Sequence, residues 1–394
     1  MINITDKKMC CGCTACANVC HKKCISMQFD KEGFLYPVIN ENECVQCNMC
    51  EKVCPCLNKQ KEIVNENQEG YIIAHKNYQI LKDSTSGGMF TAIAEYVIEN
   101  DGIVIGATME EDFIVKHVEI EKKNQLYKFR NSKYVQSELG NLYSNIKKYL
   151  LSGRMVCFSG TPCQVEGLHT FLKRDYENLI LVDVVCRAVP SPGVWNRYVK
   201  YLTRNNKIKS IRFRDKSLGY QFSTMQMVFE DNKIIRNGIE SDSWLRMFFS
   251  GMIIRPSCTE CKFRKRYHIS DFTIWDCFNV AEYTKDIDEK LGATNVLIHS
   301  EKGKKIFECI KENLNFYSID PKIIVSDMKE LAKSPKENEK KDMFFKDYYL
   351  MDMEELIDKY FPMTITVRIK KTARMILNRT GIDIWVKKIK RKLT

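Results

Sequence analysis

Apolar and polar positions along this chain change rhythm many times, and each change predicts an element. Tyr71-Ile-Ile-Ala-His75 reads as a strand. Phe90, Ile93, Ala94, Val97 and Ile98 recur at helical spacing. Gly102-Ile-Val-Ile-Gly106 is a buried strand, and Phe113 to Ile120 alternates like a second. Leu139 to Leu151 is an amphipathic helix. Met155-Val-Cys-Phe-Ser runs as a strand into a glycine turn and a helix ending at Leu172, and Leu179 to Cys186 is another apolar strand. This strand–helix alternation predicts an α/β domain with a largely parallel or mixed sheet, whose ligands sit beyond the carboxyl ends of the strands. Ser210–Lys216 and Gln226–Phe229 read as paired strands about Leu218-Gly219-Tyr220. Nearer the start, Cys24–Phe29 and Gly33–Ile39 read as a hairpin turning at Asp30–Gly33. Two polar runs, Asn58–Gly70 and Lys333–Asp342, read as linkers. The organisation expected is an α+β module over residues 1–60, an α/β domain in two parts, 70–152 and 153–330, and a helical basic tail over 343–394.

Composition changes this picture in two places. With 394 residues the chain is too long for one core. Its net charge of +12 is uneven: from Met363 on, ten Lys or Arg residues face a single acid, Asp383. Such a tail suits an anionic bilayer surface, an acidic partner or a solvated helix. Nucleic acid is disfavoured, because the cations cluster outside any base-reading fold. No apolar run is long enough to span a membrane. No GxGxxG supports a nicotinamide site, and no triad or Cys–His pair supports nucleophilic catalysis. The histidines His75, His117, His169, His268 and His299 are scattered and read as structural.

The cysteines carry the chemistry. Cys10-x2-Cys13-x2-Cys16-x3-Cys20 is followed by Cys44-x2-Cys47-x2-Cys50-x3-Cys54-Pro55. Three closely spaced thiolates supply three corners of a cubane, and the last Cys of each run ligates the other cluster. This assigns Cys10, Cys13, Cys16 and Cys54 to one 4Fe-4S cluster, and Cys44, Cys47, Cys50 and Cys20 to a second. Zinc sites lack a third Cys at the same step. Cys11, Cys24 and Cys56 read as packing thiols. With no signal peptide, eighteen cysteines indicate a reducing, cytoplasmic setting. Four more, Cys163, Cys186, Cys258 and Cys261, come from two strand ends and a Cys-x2-Cys. They suit a third 4Fe-4S cluster or zinc, or, for Cys163 and Cys186, plain small hydrophobes. Ser84 to Gly88 sits at a predicted helix start, either as a phosphate cradle or as an ordinary cap.

The runs Ser86-Gly-Gly-Met-Phe, Lys133-Tyr-Val-Gln136-Ser, Phe158-Ser-Gly160-Thr-Pro-Cys-Gln164-Val-Glu-Gly167, Val182–Cys186, Arg212–Lys216 and Pro256–Cys261 resemble the coenzyme F420 hydrogenase/dehydrogenase beta-subunit family. The resemblance covers roughly residues 1–300. It implies FAD in the α/β domain beside a cysteine-held cluster, hence a flavin-binding domain fused to a ferredoxin module. Ser86, Gly87 and Gly88 would meet FAD phosphate or ribose, Lys133 and Gln136 would line the flavin pocket, and Gly160, Thr161 and Pro162 would lie against the isoalloxazine. Lys133, Arg212, Arg214 and Lys216 are candidates for stabilising the reduced flavin. The expected activity is an oxidoreductase moving electrons among a reduced carrier, deazaflavin-like or ferredoxin, FAD and clusters. Forms with a fused ferredoxin resemble proteins associated with surface polysaccharide synthesis. The rival reading is an electron-transfer subunit docking on a partner redox enzyme. Two segments depart from the family pattern, Arg187-Ala-Val-Pro190 and Trp275-Asp-Cys-Phe-Asn279; both border the expected redox pocket.

Overall fold

The protein, known here from a computed structural model, is described over residues 2–58, 66–326 and 328–380. Its first part carries α1 (Ala15–Val19), the hairpin β1 (Ile25–Phe29) and β2 (Leu35–Ile39), and α2 (Met49–Lys52). The hairpin pairs Phe29 with Leu35. The Asp30 carboxylate closes its turn by accepting from the amides of Glu32 and Phe34 at 3.0 and 2.9 Å.

The larger part follows in order: β3 (Glu69–His75), α3 (Tyr78–Asp83), α4 (Met89–Glu99), β4 (Ile103–Met109), β5 (Val115–Ile120), α5 (Leu142–Leu151), β6 (Val156–Gly160), α6 (Pro162–Leu172) and β7 (Leu179–Val184). The chain then leaves the sheet through α7 (Pro192–Leu202), β8 (Ile208–Arg212), β9 (Thr224–Phe229), β10 (Ile234–Gly238) and α8 (Ser243–Phe249). It returns as β11 (Phe272–Cys277), β12 (Ala293–Ile298), α9 (Glu301–Ile310), β13 (Leu314–Ile319) and α10 (Pro321–Ser326), and ends in α11 (Lys341–Asp347), α12 (Met353–Tyr360) and α13 (Ile365–Thr380).

Eight strands form one mixed sheet in the order β13-β3-β12-β11-β7-β6-β4-β5. Its centre, β11, β7, β6 and β4, is parallel, and antiparallel strands close both sides. The apolar runs that predicted buried strands fill both faces, as a sheet covered twice requires. Ile93, Val97, Phe307 and Ile310 of α4 and α9 cover Val104, Ile180 and Val182 on one face. Ile146, Val165 and Leu168 of α5 and α6 cover Ile103, Val156 and Phe158 on the other, and Ala15 and Cys16 of α1 join that same core. The first module is therefore packed on the outside of α5 and α6.

A second core forms where α7, α8, α11 and α12 meet the three-stranded sheet β8–β10, around Trp195 and Trp244 with ring centroids 4.7 Å apart. Burying such a ring removes about 150–250 Å² from water, roughly 4–6 kcal/mol before the opposing entropy. The start of α7 is tied to the hairpin: Ser191 Oγ donates to the Glu32 carbonyl at 2.6 Å, and a Cβ on Gly33 would sit 2.6 Å from Gly193 Cα.

Two sequence expectations change. The run Lys333–Asp342 is docked against the body: the Ser334 hydroxyl accepts from the Cys261 amide at 3.0 Å, and Lys341, 3% exposed, pairs with Glu32 and Glu337 at 3.1 and 2.8 Å. Charge in a sequence reads as solvated; here distant carboxylates supply the partners that let an ammonium be buried. The predicted tail helix is present as α13, and its Lys371 donates to Asn237 while Arg374 pairs with Glu240, so part of it lies on β10. Residues 381–394 and the centre of the Asn58–Gly70 run lie outside the described residues. Among the described residues no helix is long and apolar enough to cross a membrane.

Candidate functional site

The two cysteine runs repeat in backbone as well as in sequence. Gly12 and Thr14 in the first run, and Gln46 and Asn48 in the second, occupy the same steps and all have positive φ, between 51° and 74°. Three of the four residues are not glycine, so this left-handed backbone is held against a local cost. A cavity inside the first loop is lined by Cys10, Cys13, Cys16 and Cys54, the set assigned to one cluster, with Cys11 and Cys56 completing the wall. In the second set, Cys24 lies within hydrogen-bonding reach of both Cys20 and Cys44, Cys50 is buried, and Cys47 is exposed. All eighteen cysteines are free thiols.

A further cavity opens at the carboxyl ends of β6 and β7, where strand, tight turn and helix follow one another. It is lined by Cys163, Cys186, Cys258 and Cys261, together with Cys11, Arg264 and His268. Burial raises the Cys258 thiol to about 12 and Cys261 to about 11, and pushes Cys186 well above the usual thiol range. Buried thiols of this kind ionise only when a cation binds among them. His268 presents Nδ1 to the Asp183 carboxylate at 2.7 Å and Nε2 to the Lys265 carbonyl at 2.8 Å. Both partners are acceptors, so the ring is an imidazolium; burial opposes its charge and Asp183 sustains it. Among the described residues no three His, Cys, Asp or Glu side chains converge on one metal-ion position. The cysteines ring cavities instead.

A large cavity, about 510 Å³, lies beyond the carboxyl ends of the parallel strands. Gly160 and Thr161 after β6, Cys186 after β7, Asp276 of β11 and Ser86 at the start of α4 face it. α4 begins at Gly88, φ +88°, with no side chain capping it, so the ordinary-cap alternative for Ser84–Gly88 is not what this helix uses. Arg130, Lys133, Arg187 and Arg214 put cations on the wall. Arg214 is compensated by Asp276 at 2.7 Å, and the Tyr220 hydroxyl donates to the same carboxylate at 3.1 Å. Lys133 donates to the carbonyls of Lys128 and Arg130 at 2.8 and 3.0 Å, while burial and the Arg212 cation push it down to about 7. Burial holds His117 at about 4, hence neutral, with Nε2 donating to the Ser159 carbonyl at 2.9 Å.

Ser86, Gly88, Lys133, Gly160 and Thr161 thus share the large cavity. Three other candidates fall elsewhere. Gly87 lies behind the loop, its amide donating to Thr294 Oγ1 at 2.7 Å. Pro162 lines the four-cysteine cavity. Gln136 turns to the first cysteine loop: its Nε2 donates to the Cys11 carbonyl at 3.1 Å. Arg212 pairs with Asp83 at 3.6 Å, and Lys216 ties together the carbonyls of Leu81, Ser86 and Leu291 at 2.7, 2.8 and 2.5 Å. Sequence reasoning missed Cys11, which borders both the first cysteine cavity and the four-cysteine cavity and reaches Cys163 and Cys56. It also missed the Asp183–His268 pair and Arg255, whose basic character was one signal among sixty-two Lys and Arg residues.

The architecture is that of an α/β protein with cysteine-lined cavities, and comparison with known proteins relates part of it to a family. Residues 153–322 match the carboxyl-terminal part of the coenzyme F420 hydrogenase/dehydrogenase beta subunit. This region, which holds all four cysteines of the second constellation, is what the chain shares with that family. Among solved structures it is similar to a chain of the xenon-derivatised F420-reducing [NiFe] hydrogenase complex from Methanosarcina barkeri, at 15% identity and a TM-score of 0.43, covering 77% of this chain and 94% of that one. No curated protein matches the chain.

Proposed function

We propose that this chain is an iron–sulfur flavoprotein oxidoreductase that passes electrons between a reduced deazaflavin-type carrier and one-electron acceptors. FAD would occupy the large cavity. Cys10, Cys13, Cys16 and Cys54 would hold one 4Fe-4S cluster, Cys20, Cys44, Cys47 and Cys50 a second, and Cys163, Cys186, Cys258 and Cys261 a third. A bound flavin exchanges electrons in pairs or singly and a cluster singly, so together they join a pair donor to a one-electron wire.

The observation that carries this reading is the sharing of walls. Thr161 and Cys186 border both the large cavity and the four-cysteine cavity, and Cys11 borders both the latter and the first cysteine cavity. Three sites therefore follow one another without an intervening layer of core. The chain's own residues have clear tasks around them. The uncapped start of α4 and the Lys133 ammonium would hold the cofactor's phosphates. Neutral His117 and the compensated Arg214 keep the wall from carrying a large unbalanced charge. Trp275 and Phe278 would exclude water from the cavity's inner side. On the sequence resemblance alone, the acceptor belongs to cell-surface polysaccharide synthesis.

Protein purified without oxygen should carry flavin and about twelve iron atoms per chain, four for each of three clusters. Colourless, iron-free protein with zinc in the thiol sites would refute the reading. A second reading, a subunit that serves a partner enzyme, is favoured by the second cysteine loop. Cys47 is exposed there, between Val45 at 55% exposure and, nearby, Leu57 at 47%. Flavin that no small reduced carrier can bleach, but a partner enzyme can, would decide for it.

A further inference from the structure

Arg255 is the most deeply buried cation of the chain's redox region, at 0% exposure. Its Nε donates to the Cys10 carbonyl at 2.7 Å, Nη1 to Gln136 Oε1 at 2.9 Å, and Nη2 to the Leu35 carbonyl at 3.0 Å and toward Cys10 Sγ at 3.5 Å. The guanidinium lies over the Tyr36 ring, 4.2 Å from its centroid. Every one of these partners is uncharged, and only the cysteine can become an anion by binding a cationic group. Among the described residues no carboxylate pairs with Arg255; the ionisable groups that bear on it most are Cys10, Tyr36, Cys11 and Cys258. A guanidinium keeps its charge at all ordinary pH, and an uncompensated charge at this depth is costly. The charge therefore calls for an anion here, and among the described residues the groups placed to provide one are the thiols of the first and the four-cysteine sites, once ionised. A cubane with four thiolate ligands is negative in both of its working states, and more so when reduced.

We propose that Arg255 is the shared counter-cation of these two sites and sets the electron affinity of the group held by Cys10, Cys13, Cys16 and Cys54. This rests on the clusters proposed above. Its position explains why it serves two sites. The side chain crosses to the first loop, while its backbone leads through Pro256 and Ser257 directly into Cys258. A Cβ on Gly12 would meet Nη1 at 2.9 Å, so this loop closes on the guanidinium without space for another side chain. A cation so placed favours the more negative, reduced state of its neighbour, and the low local polarity magnifies the effect. Arg255 acts through the cluster ligands and is a positioning and charge-compensating residue, not a catalytic one.

The test uses full-length protein loaded without oxygen. Iron content and EPR-monitored redox titration are measured on wild type, Arg255→Gln and Gln136→Glu. The first substitution removes the cation. The second keeps the cation and gives it a carboxylate at nearly the same position as the present amide oxygen. Both should retain iron and lower the electron affinity of the same single cluster by at least tenfold, about 59 mV for a one-electron couple. Unchanged midpoints in iron-replete Gln136→Glu would overturn the proposal, whatever Arg255→Gln does. If both variants lose iron, the melting of the iron-free chains decides. Wild-type melting means that the cation is needed to hold the cluster and supports the proposal; collapse of the iron-free fold means that Arg255 is a structural tie and overturns it. Iron-free wild type would instead refute the clusters themselves, so the two failures are distinguishable.

Discussion

Asp276→Ala tests whether the large cavity rests on an internally balanced charge. The Arg214 side chain is 5% exposed and Asp276 18%, with Nη1 and Oδ2 2.7 Å apart. Arg214 also donates to the Tyr134 hydroxyl at 3.2 Å, and Tyr220 donates to Asp276 at 3.1 Å, so truncation strands two buried groups. Removing one partner of a buried pair costs about 3–5 kcal/mol, because the other charge is left without compensation. For a 394-residue chain unfolding as one unit, about 2.1 cal/mol/K per residue gives roughly 0.8 kcal/mol/K, so Asp276→Ala should melt roughly 4–6 °C below wild type. Asp276→Asn preserves shape and acceptor, and should fall by less. In both variants the freed Arg214 cation faces the cavity, so inorganic pyrophosphate should raise the melting temperature of the variants more than that of wild type. Circular dichroism melts with and without pyrophosphate read both effects. If Asp276→Ala melts with wild type, the pair carries no net electrostatic energy and the reasoning is refuted.

Other substitutions follow from single observations. Asp242 caps α8 by accepting from the Leu245 amide at 3.0 Å, and burial pushes its carboxyl up to about 7. The native state then holds a proton that the unfolded chain has lost, so this group contributes stability at low pH that fades between about pH 4 and 7. Asp242→Asn keeps the cap and should flatten that slope in melts taken across the range. The Lys133 ammonium, held near 7, should bind anions in the large cavity at pH 6 and lose them by pH 8; titration calorimetry with pyrophosphate should show this fall in wild type and not in Lys133→Gln. Gly33 has φ +74°, and a Cβ there would press on Gly193 Cα at 2.6 Å. Gly33→Ala should undock the hairpin from α7, lower the melting temperature and speed proteolysis between β1 and β2.

The two cysteine loops of the first module were legible because a loop repeated in sequence is repeated in backbone, with the same left-handed steps in each. The parallel centre of the sheet was legible for a similar reason, since β4, β6 and β7 alternate with helices in a short stretch. What stayed hidden depends on distance. β12 and β13 are strands whose place beside β3 is fixed only by chain segments more than two hundred residues apart. Lys341 reads as linker because its partner Glu32 lies at the other end of the chain. Arg255 looks like any surface arginine until Cys10 and Gln136 are brought to it. Gln136 sits beside cavity residues in sequence, but its backbone amide donates to the Pro190 carbonyl at 3.0 Å and its side chain bonds to Cys11 and Arg255 instead. Local spacing reveals candidate ligands; the groups that would compensate their charge are brought in by tertiary structure.

The two segments that depart from the family pattern are found where acceptor choice would be made. Arg187, Ala188 and Val189 line both the large and the four-cysteine cavity, and Trp275, Asp276 and Phe278 line the large one. Arg187 is held by Glu330 at 3.5 Å, by Nη2 donating to the Phe249 carbonyl at 3.4 Å and by the Phe249 ring at 5.5 Å, and its side chain is 38% exposed. Contacts of that kind contribute about 0–1 kcal/mol. The residue is therefore nearly dispensable for folding, yet it puts a cation on the wall between two proposed redox groups. Arg187→His with Ala188→Gly should leave melting and iron content unchanged while altering the rate at which a reduced carrier bleaches the bound flavin by at least about tenfold, near 1.4 kcal/mol in barrier height. Loss of iron in step with loss of rate would show that this wall holds the cysteines in place and does not select the carrier. Unchanged rates would mean that carriers approach from the Trp275 side. Since Cys163, Cys186 and the Cys258–Cys261 pair come from three separate segments and Arg187 adjoins only one of them, selectivity can change here without dismantling the proposed cluster site.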